Sequence, residues 1–281
     1  MIRELRTRLP VALESLLRDL QTRPASVLRR DLVGVYLYGS LTRGAFDARR
    51  SDVDGIVVTR RVLTARQFRA LRAWLRASAE ANPWTRRLQL TFLLRSGVLR
   101  MNAEACLYQF GRLSRTTSDG NPIIWLDVLS SGVALAGPPA KSFVPRISAA
   151  KLVEALEREL AYLDAEITTK PRSKWRNVRS YRVYAVLTVC RILYSFRTGA
   201  VVSKPVAARW AIGHLPARYR ALVRRALGAH AGARSTRLML SDVRRLIEFA
   251  NGELQRRSRR ATSRPKSNNA PRRTRRARRP A

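Results

Sequence analysis

The residues whose types and spacing could do chemistry lie in one stretch, Tyr36–Val58, YLYGSLTRGAFDARRSDVDGIVV. The apolar run at 33–38 reads as a buried strand that ends at Gly39-Ser40. A polar loop of eleven residues follows, and Asp52-Val53-Asp54 opens a second strand. Side chains two apart on a strand share a face, so Asp52 and Asp54 point together. Adjacent carboxylates repel unless a cation bridges them. Oxygen ligands at an open edge suit Mg²⁺, which takes phosphates and waters as its remaining ligands. Gly39-Ser40 lets backbone and hydroxyl approach a phosphate closely. This set suits metal-assisted attack on a nucleotide α-phosphate with pyrophosphate leaving.

The elements that must position these residues follow from periodicity. Residues 3–22 space Leu5, Leu9, Leu13, Leu16, Leu17 and Leu20 as a helix, starting late or kinked near Pro10. The strand at 52–58, a helix at 64–82 and an alternating strand at 87–94 complete a strand–loop–strand–helix–strand order, which implies a small mixed α/β domain. Pro138, Pro139 and Pro145 mark a boundary near 146. Beyond it, helices are expected at 147–168, 178–198, 204–213, 216–229 and 238–255, with Gly199, Gly213 and Gly228 as stops. The fold class is thus α/β plus α: a mixed-sheet domain over 1–146, a helical bundle over 147–255 and a disordered Arg-rich tail over 256–281.

A strand, Gly-Ser, a loop and D-x-D opening a second strand resemble the polymerase-β-type nucleotidyltransferase superfamily. Residues 186–213 (VLTVCRILYSFRTGAVVSKPVAARWAIG) and VALAGPP at 133–139 are similar to streptomycin/spectinomycin adenylyltransferases and their uncharacterised relatives, so the likeness runs to about residue 255. The resemblance implies ATP and Mg²⁺ as cofactors. It implies that Asp52 and Asp54 hold metal and act in catalysis, with Gly39, Ser40 and Ser51 at the nucleotide. Arg191 and Lys204 fall at positions that approach the ATP phosphates, and His230 at a nucleotide-adjacent position. Arg191 also stands out unaided: it interrupts the run AVLTVCRILYSF, where a guanidinium needs a carboxylate or a phosphate. Lys204 follows the expected N-cap Ser203, at a helix start that favours anions.

Two departures qualify the resemblance. Relatives carry a third carboxylate, a metal ligand and base, where this chain has Gln89, and an amide takes no proton at neutral pH. Asp47, Glu104 and Asp119 are the candidate substitutes. The acceptor side also differs. Lys170–Arg182 holds six basic residues and no acid, and Leu113 stands at the stacking-Trp position, with Trp125 or Trp175 as replacements. Such charge disfavours a cationic aminoglycoside and favours an anionic acceptor.

Composition bounds the rest. The 281 residues are 46% hydrophobic, enough for real cores. No apolar run suits a membrane span or a signal peptide, and two cysteines, Cys106 and Cys190, make no disulfide framework and read as core residues. A cytoplasmic monomer without membrane attachment is expected. The net charge is +37, and +25 remains when the tail is set aside. It reads either as Arg-rich surface usage or as attraction for nucleic acid, through the tail as an arm. His214 reads as a helix C-terminal cap. The expected activity is nucleotidyl, most simply adenylyl, transfer from ATP to the hydroxyl of a small acceptor. The alternatives are a catalytically degenerate nucleotide-binding protein and a basic nucleic-acid-binding protein on the same fold.

Overall fold

The computed structural model describes residues 9–168, 179–233 and 237–262. In chain order the N-terminal part contains α1 (Val11–Leu28), β1 (Leu32–Tyr38), β2 (Val53–Thr59), α2 (Ala65–Ala81), β3 (Leu88–Leu94), β4 (Met101–Gln109), β5 (Arg112–Asp119), α3 (Pro122–Ser131) and β6 (Val133–Ala136). The helices α4 (Ala149–Thr168), α5 (Arg179–Thr198), α6 (Lys204–His214), α7 (Ala217–His230) and α8 (Leu240–Thr262) follow.

The six strands form one sheet in the order β5-β4-β3-β2-β1-β6. Only the β2–β3 pair is parallel, joined by the crossover helix α2. One sheet face packs under α1 and α2 through Leu13, Leu16, Leu20, Leu71, Leu75 and Leu90. The other packs Tyr36, Ile56, Val58 and Leu93 against Trp125 and Val128 of α3 and the segment carrying Val144. Burial on both faces explains why β1 and β2 read as near-continuous apolar runs. Helices α4–α8 share a separate core around Leu160, Leu187, Cys190, Val223 and Ile247. Ile123 and Leu126 of α3 also pack on that helical core, so one helix serves both.

The helix expected at 3–22, starting late or kinked near Pro10, does begin after Pro10, but it runs beyond 22 across the buried Pro24 to the buried Leu28; residues 1–8 lie outside the described ones. Gly199 does end its helix, with φ +73. Gly213 and Gly228 do not stop theirs: neither has positive φ, and α6 and α7 continue to His214 and His230. His214 Nδ1 lies 2.8 Å from the Trp210 carbonyl and closes α6, as a cap would. The tail reading is corrected at its start. Helix α8 continues to Thr262, because no breaker occurs before Pro265, and the rest of the tail lies outside the described residues. Both cysteines are buried and free. Among the described residues no helix is long and apolar enough to cross a membrane.

Candidate active site

Strand β1 ends at Tyr38, directly opposite Asp54 on β2, and Asp54 in turn pairs with Gln89 on β3. Asp52 precedes β2 by one residue. The three side chains named from the sequence therefore meet at one end of the two central strands, beside the Gly39 turn. Gly39 has φ +81, and a Cβ there would overlap Asp54 Oδ2. Glycine is required twice over, by backbone conformation and by the carboxylate behind it. Ser40 closes the turn, its carbonyl accepting from the Ala45 amide at 3.1 Å.

The loop that carries the chain from Ser40 to Asp52 is tied down internally. Asp47 accepts from the Arg49 amide at 2.9 Å and is paired with Arg50, which holds its carboxyl below the usual range. Ser51 Oγ accepts from the Asp47 amide at 2.9 Å, so its oxygen is engaged in the loop. Arg87 donates to the carbonyls of Ala48 and Ser51 and stacks over Trp84 at 4.5 Å.

Electrostatics distinguish the two aspartates. Burial and then the Asp52 charge push Asp54 up to about 6. Burial also raises Asp52, against the pull of Arg87 and Lys204 and a 3.4 Å hydrogen bond from Gln89 Nε2. Across the cleft, Lys204 is the first residue of α6, and burial followed by Arg191 lowers it to about 8, while Asp54 and Asp52 pull it back. Its ammonium lies 4.5 Å from the Tyr184 ring centroid. Ser203 sits at the N-cap position, as expected, but its side chain makes no capping bond. Arg191 on α5 is close enough to influence both Asp54 and Lys204. Among the described residues neither cation has a carboxylate within ion-pair distance. His230, at the end of α7, feels Arg50, Lys204 and Asp47, and burial lowers it from its ordinary value.

Of the residues nominated from the sequence, Asp52, Asp54, Gln89, Arg191, Lys204 and His230 thus come within electrostatic or hydrogen-bond reach of one another, with Gly39 against Asp54. The substitutes for a third carboxylate are engaged or placed elsewhere. Asp47 is committed to Arg50; Glu104 pairs with Arg115 at 3.4 Å; and Asp119 lies opposite Met101, at the far end of the sheet from Gln89. Among the described residues, the expected stacking positions hold core side chains. Leu113 and Trp125 are core residues, and Trp175 lies outside the described residues.

Sequence reasoning missed Arg43 and Asp127. Arg43 Nε donates to Asp127 Oδ1 on α3 at 2.7 Å, Nη1 to the Val201 carbonyl at 2.6 Å and Nη2 to Ser130 Oγ at 3.0 Å. One guanidinium therefore joins the Gly-Ser loop, α3 and the segment that leads three residues later to Lys204. Asp127, which also influences Asp54, is the lone charge in the apolar helix PIIWLDVLSS. The argument that singled out Arg191 would have found it.

A mixed sheet with a Gly-Ser turn, an aspartate pair and a helical bundle carrying opposed cations defines a nucleotidyltransferase architecture. Residues 142–255 match the family described as aminoglycoside adenylyltransferase, C-terminal domain. The chain is 28% identical over 249 residues to an aminoglycoside (3'') (9) adenylyltransferase of Escherichia coli, covering 81% of this chain and 89% of that one. It is 24% identical to a spectinomycin 9-adenylyltransferase of Campylobacter jejuni, covering 74% and 81%. The fold matches a spectinomycin adenyltransferase AAD(9) from Enterococcus faecialis, solved with ATP and spectinomycin, at TM-score 0.66 and 16% identity over 86% of this chain and 99% of that one. Over most of its length the chain is thus similar to aminoglycoside and spectinomycin adenylyltransferases, and it shares their fold.

Two expectations follow from the geometry. Arg43→Ala strands a buried Asp127 carboxylate and costs about 3–5 kcal/mol, read as a lowered urea midpoint; Arg43→Ala/Asp127→Asn recovers part of it. Asp54 binds its proton more tightly folded than unfolded, so it contributes stability below the ordinary carboxylate range that is lost as pH rises through about 6. Lys204 has the opposite bias, and its contribution recovers as pH rises from about 8 toward 10.5. Asp54→Asn accordingly raises the melting temperature of the unliganded protein at pH 7 by about 3 °C, and the difference from the parent vanishes near pH 4.

Proposed function

We propose that this protein transfers the adenylyl group of ATP to an acceptor hydroxyl, with Asp52 and Asp54 holding Mg²⁺. The observation that supports this reading is the opposition, across one cleft, of two carboxylates and two cations with no direct ion pair between them. Such an arrangement leaves unlike charges partly desolvated, a cost that a bound metal–triphosphate would relieve. The donor set fits Mg²⁺. Among the described residues no group of three or more His, Cys, Asp or Glu could hold a metal, so two carboxylates would be completed by phosphate and water. The like charge that raises Asp54 would be neutralised there. When bound, the ion polarises the α-phosphate and screens its charge from the nucleophile.

This chain's own residues then have distinct tasks. Gly39 and Ser40 admit the triphosphate to the end of β1. Lys204 and Arg191 neutralise charge that builds on departing pyrophosphate, and His230 with Arg50 borders the nucleotide. The acceptor oxygen bonds to the α-phosphorus as the α–β phosphoanhydride breaks. Gln89 directs Asp52 through its amide but accepts no proton, so the hydroxyl proton leaves to solvent or to a base on the acceptor.

The neighbour solved with spectinomycin makes that compound the first acceptor to test. The run Lys170–Arg182, with six basic residues and no acid, favours an anionic one instead. Gln89 favours a second reading, a nucleotide-binding protein without turnover.

Calorimetric titration of ATP with Mg²⁺ separates these readings. Asp52→Asn weakens binding at least tenfold if the carboxylates hold the metal, and unchanged affinity overturns the site. Gln89→Glu supplies the missing base and raises pyrophosphate release about 10²-fold over a panel of hydroxyl acceptors. No release from either form establishes the binding protein.

A further inference from the structure

Helix α2 carries Arg66, Arg69, Arg72 and Arg76, spaced three, three and four apart, so they form a stripe along one flank. All four are exposed, while Leu71 and Leu75 of the same helix are buried. Successive guanidinium stems rise by about 5 Å. The sole acid of this helix, Glu80, is paired with Arg76 at 3.4 Å. The helix packs against β5, the edge strand of the sheet, which adds exposed Arg112 and Arg115. Arg115 lies over Phe68 of α2 at 4.9 Å.

Charged residues on an edge strand also guard against strand pairing, and arginines alone would need no other reason. The β4–β5 turn does need one. Its two residues, Phe110 and Gly111, have φ of 53° and 77°. Turns of this kind take Asn, Asp or Gly, because a Cβ is disfavoured there. Phe110 nevertheless occupies the first position and is 76% exposed. Folding thus gains neither conformational ease nor burial from this ring. It borders an open cleft of about 460 Å³ lined by Arg76, Ala79, Glu80, Arg86 and Gly111. Arg86, on the wall of the same cleft, donates its Nε to the Ala79 carbonyl at 2.9 Å.

We propose that this α2–β5 face binds single-stranded nucleic acid, with the arginine stripe on successive phosphates and Phe110 stacked on a base. A guanidinium row supplies sequence-independent phosphate contacts, and an exposed ring is the sequence-tolerant platform that unpaired bases use and a duplex denies. Strand register places the tip toward the nucleotide cleft. Tyr108 pairs with Leu90, so the turn projects past the start of β3, the end at which Gln89 sits. Arg87, next to Arg86, is the principal cation acting on Asp52. The proposal rests on this surface and not on the adenylyl-transfer reading.

Fluorescence anisotropy with labelled 12-nucleotide oligo(U), oligo(dT) and a duplex of equal length, over a salt series, tests it on the full chain. Arg69→Gln/Arg72→Gln/Arg76→Gln is expected to weaken single-strand binding at least tenfold and to reduce the log–log salt slope by about 2. The corresponding triple lysine variant retains binding. Phe110→Ala weakens single-strand binding about tenfold with the salt slope and duplex binding unchanged. Equal oligo(U) and oligo(dT) affinity supports backbone-and-ring recognition. Unaltered affinity and slope in the triple glutamine variant, or tighter binding of duplex than of either single strand, overturns the proposal. Mg²⁺–ATP titration of the same variants stays at the parent value, so failure here is separable from failure of the catalytic reading.

Discussion

The organisation of this molecule follows from one electrostatic constraint: two carboxylates at the start of a central strand face two cations on a helical layer without touching them. Left alone, each pair repels within itself and is desolvated by the fold, which is why burial leads the shifts of both Asp54 and Lys204. A fold keeps such an arrangement only where the surroundings over-determine it. Here the register of β1, β2 and β3 fixes the acids, and the start of α6 fixes the lysine.

The distance between these layers is governed by Arg43. Two of its donors bind Asp127 and Ser130 of one helix and the third binds the Val201 carbonyl, far from that helix in sequence, and its partner Asp127 is buried. A buried ion pair is a weak source of net stability, but breaking it is costly, which suits a part whose task is to hold one geometry. The Gly-Ser turn and the lysine are thereby set with respect to each other by a residue that touches neither.

Much of this was legible in the sequence because the informative signals were local. Gly39-Ser40 and Asp52-Val53-Asp54 lie on strands whose apolar runs mark them, and the helices after residue 146 announce themselves by period and by proline. The β4–β5 hairpin was not legible. Strand β5, RLSRTTSD, is an edge strand with one buried apolar residue, Leu113, so alternation has almost nothing to display. Glycine marked one helix end, at Gly199, but not two others, since Gly213 and Gly228 sit in last turns that run on to His214 and His230. Glu104 and Asp119 could be dismissed only once strand direction was known, because sequence distance from Gln89 says nothing about which end of an antiparallel strand a carboxylate occupies.

Helix α3 has a consequence for how the chain can be divided. It lays Trp125 and Val128 on the sheet and Ile123 and Leu126 on the bundle, so its two sides serve two cores. A cut near residue 146 would strip the helical half of those two apolar partners and leave the other half with a greasy flank in water. Modular exchange between relatives should therefore carry α3 with both halves or redesign one side of it, and swapping at the proline-rich segment alone invites aggregation.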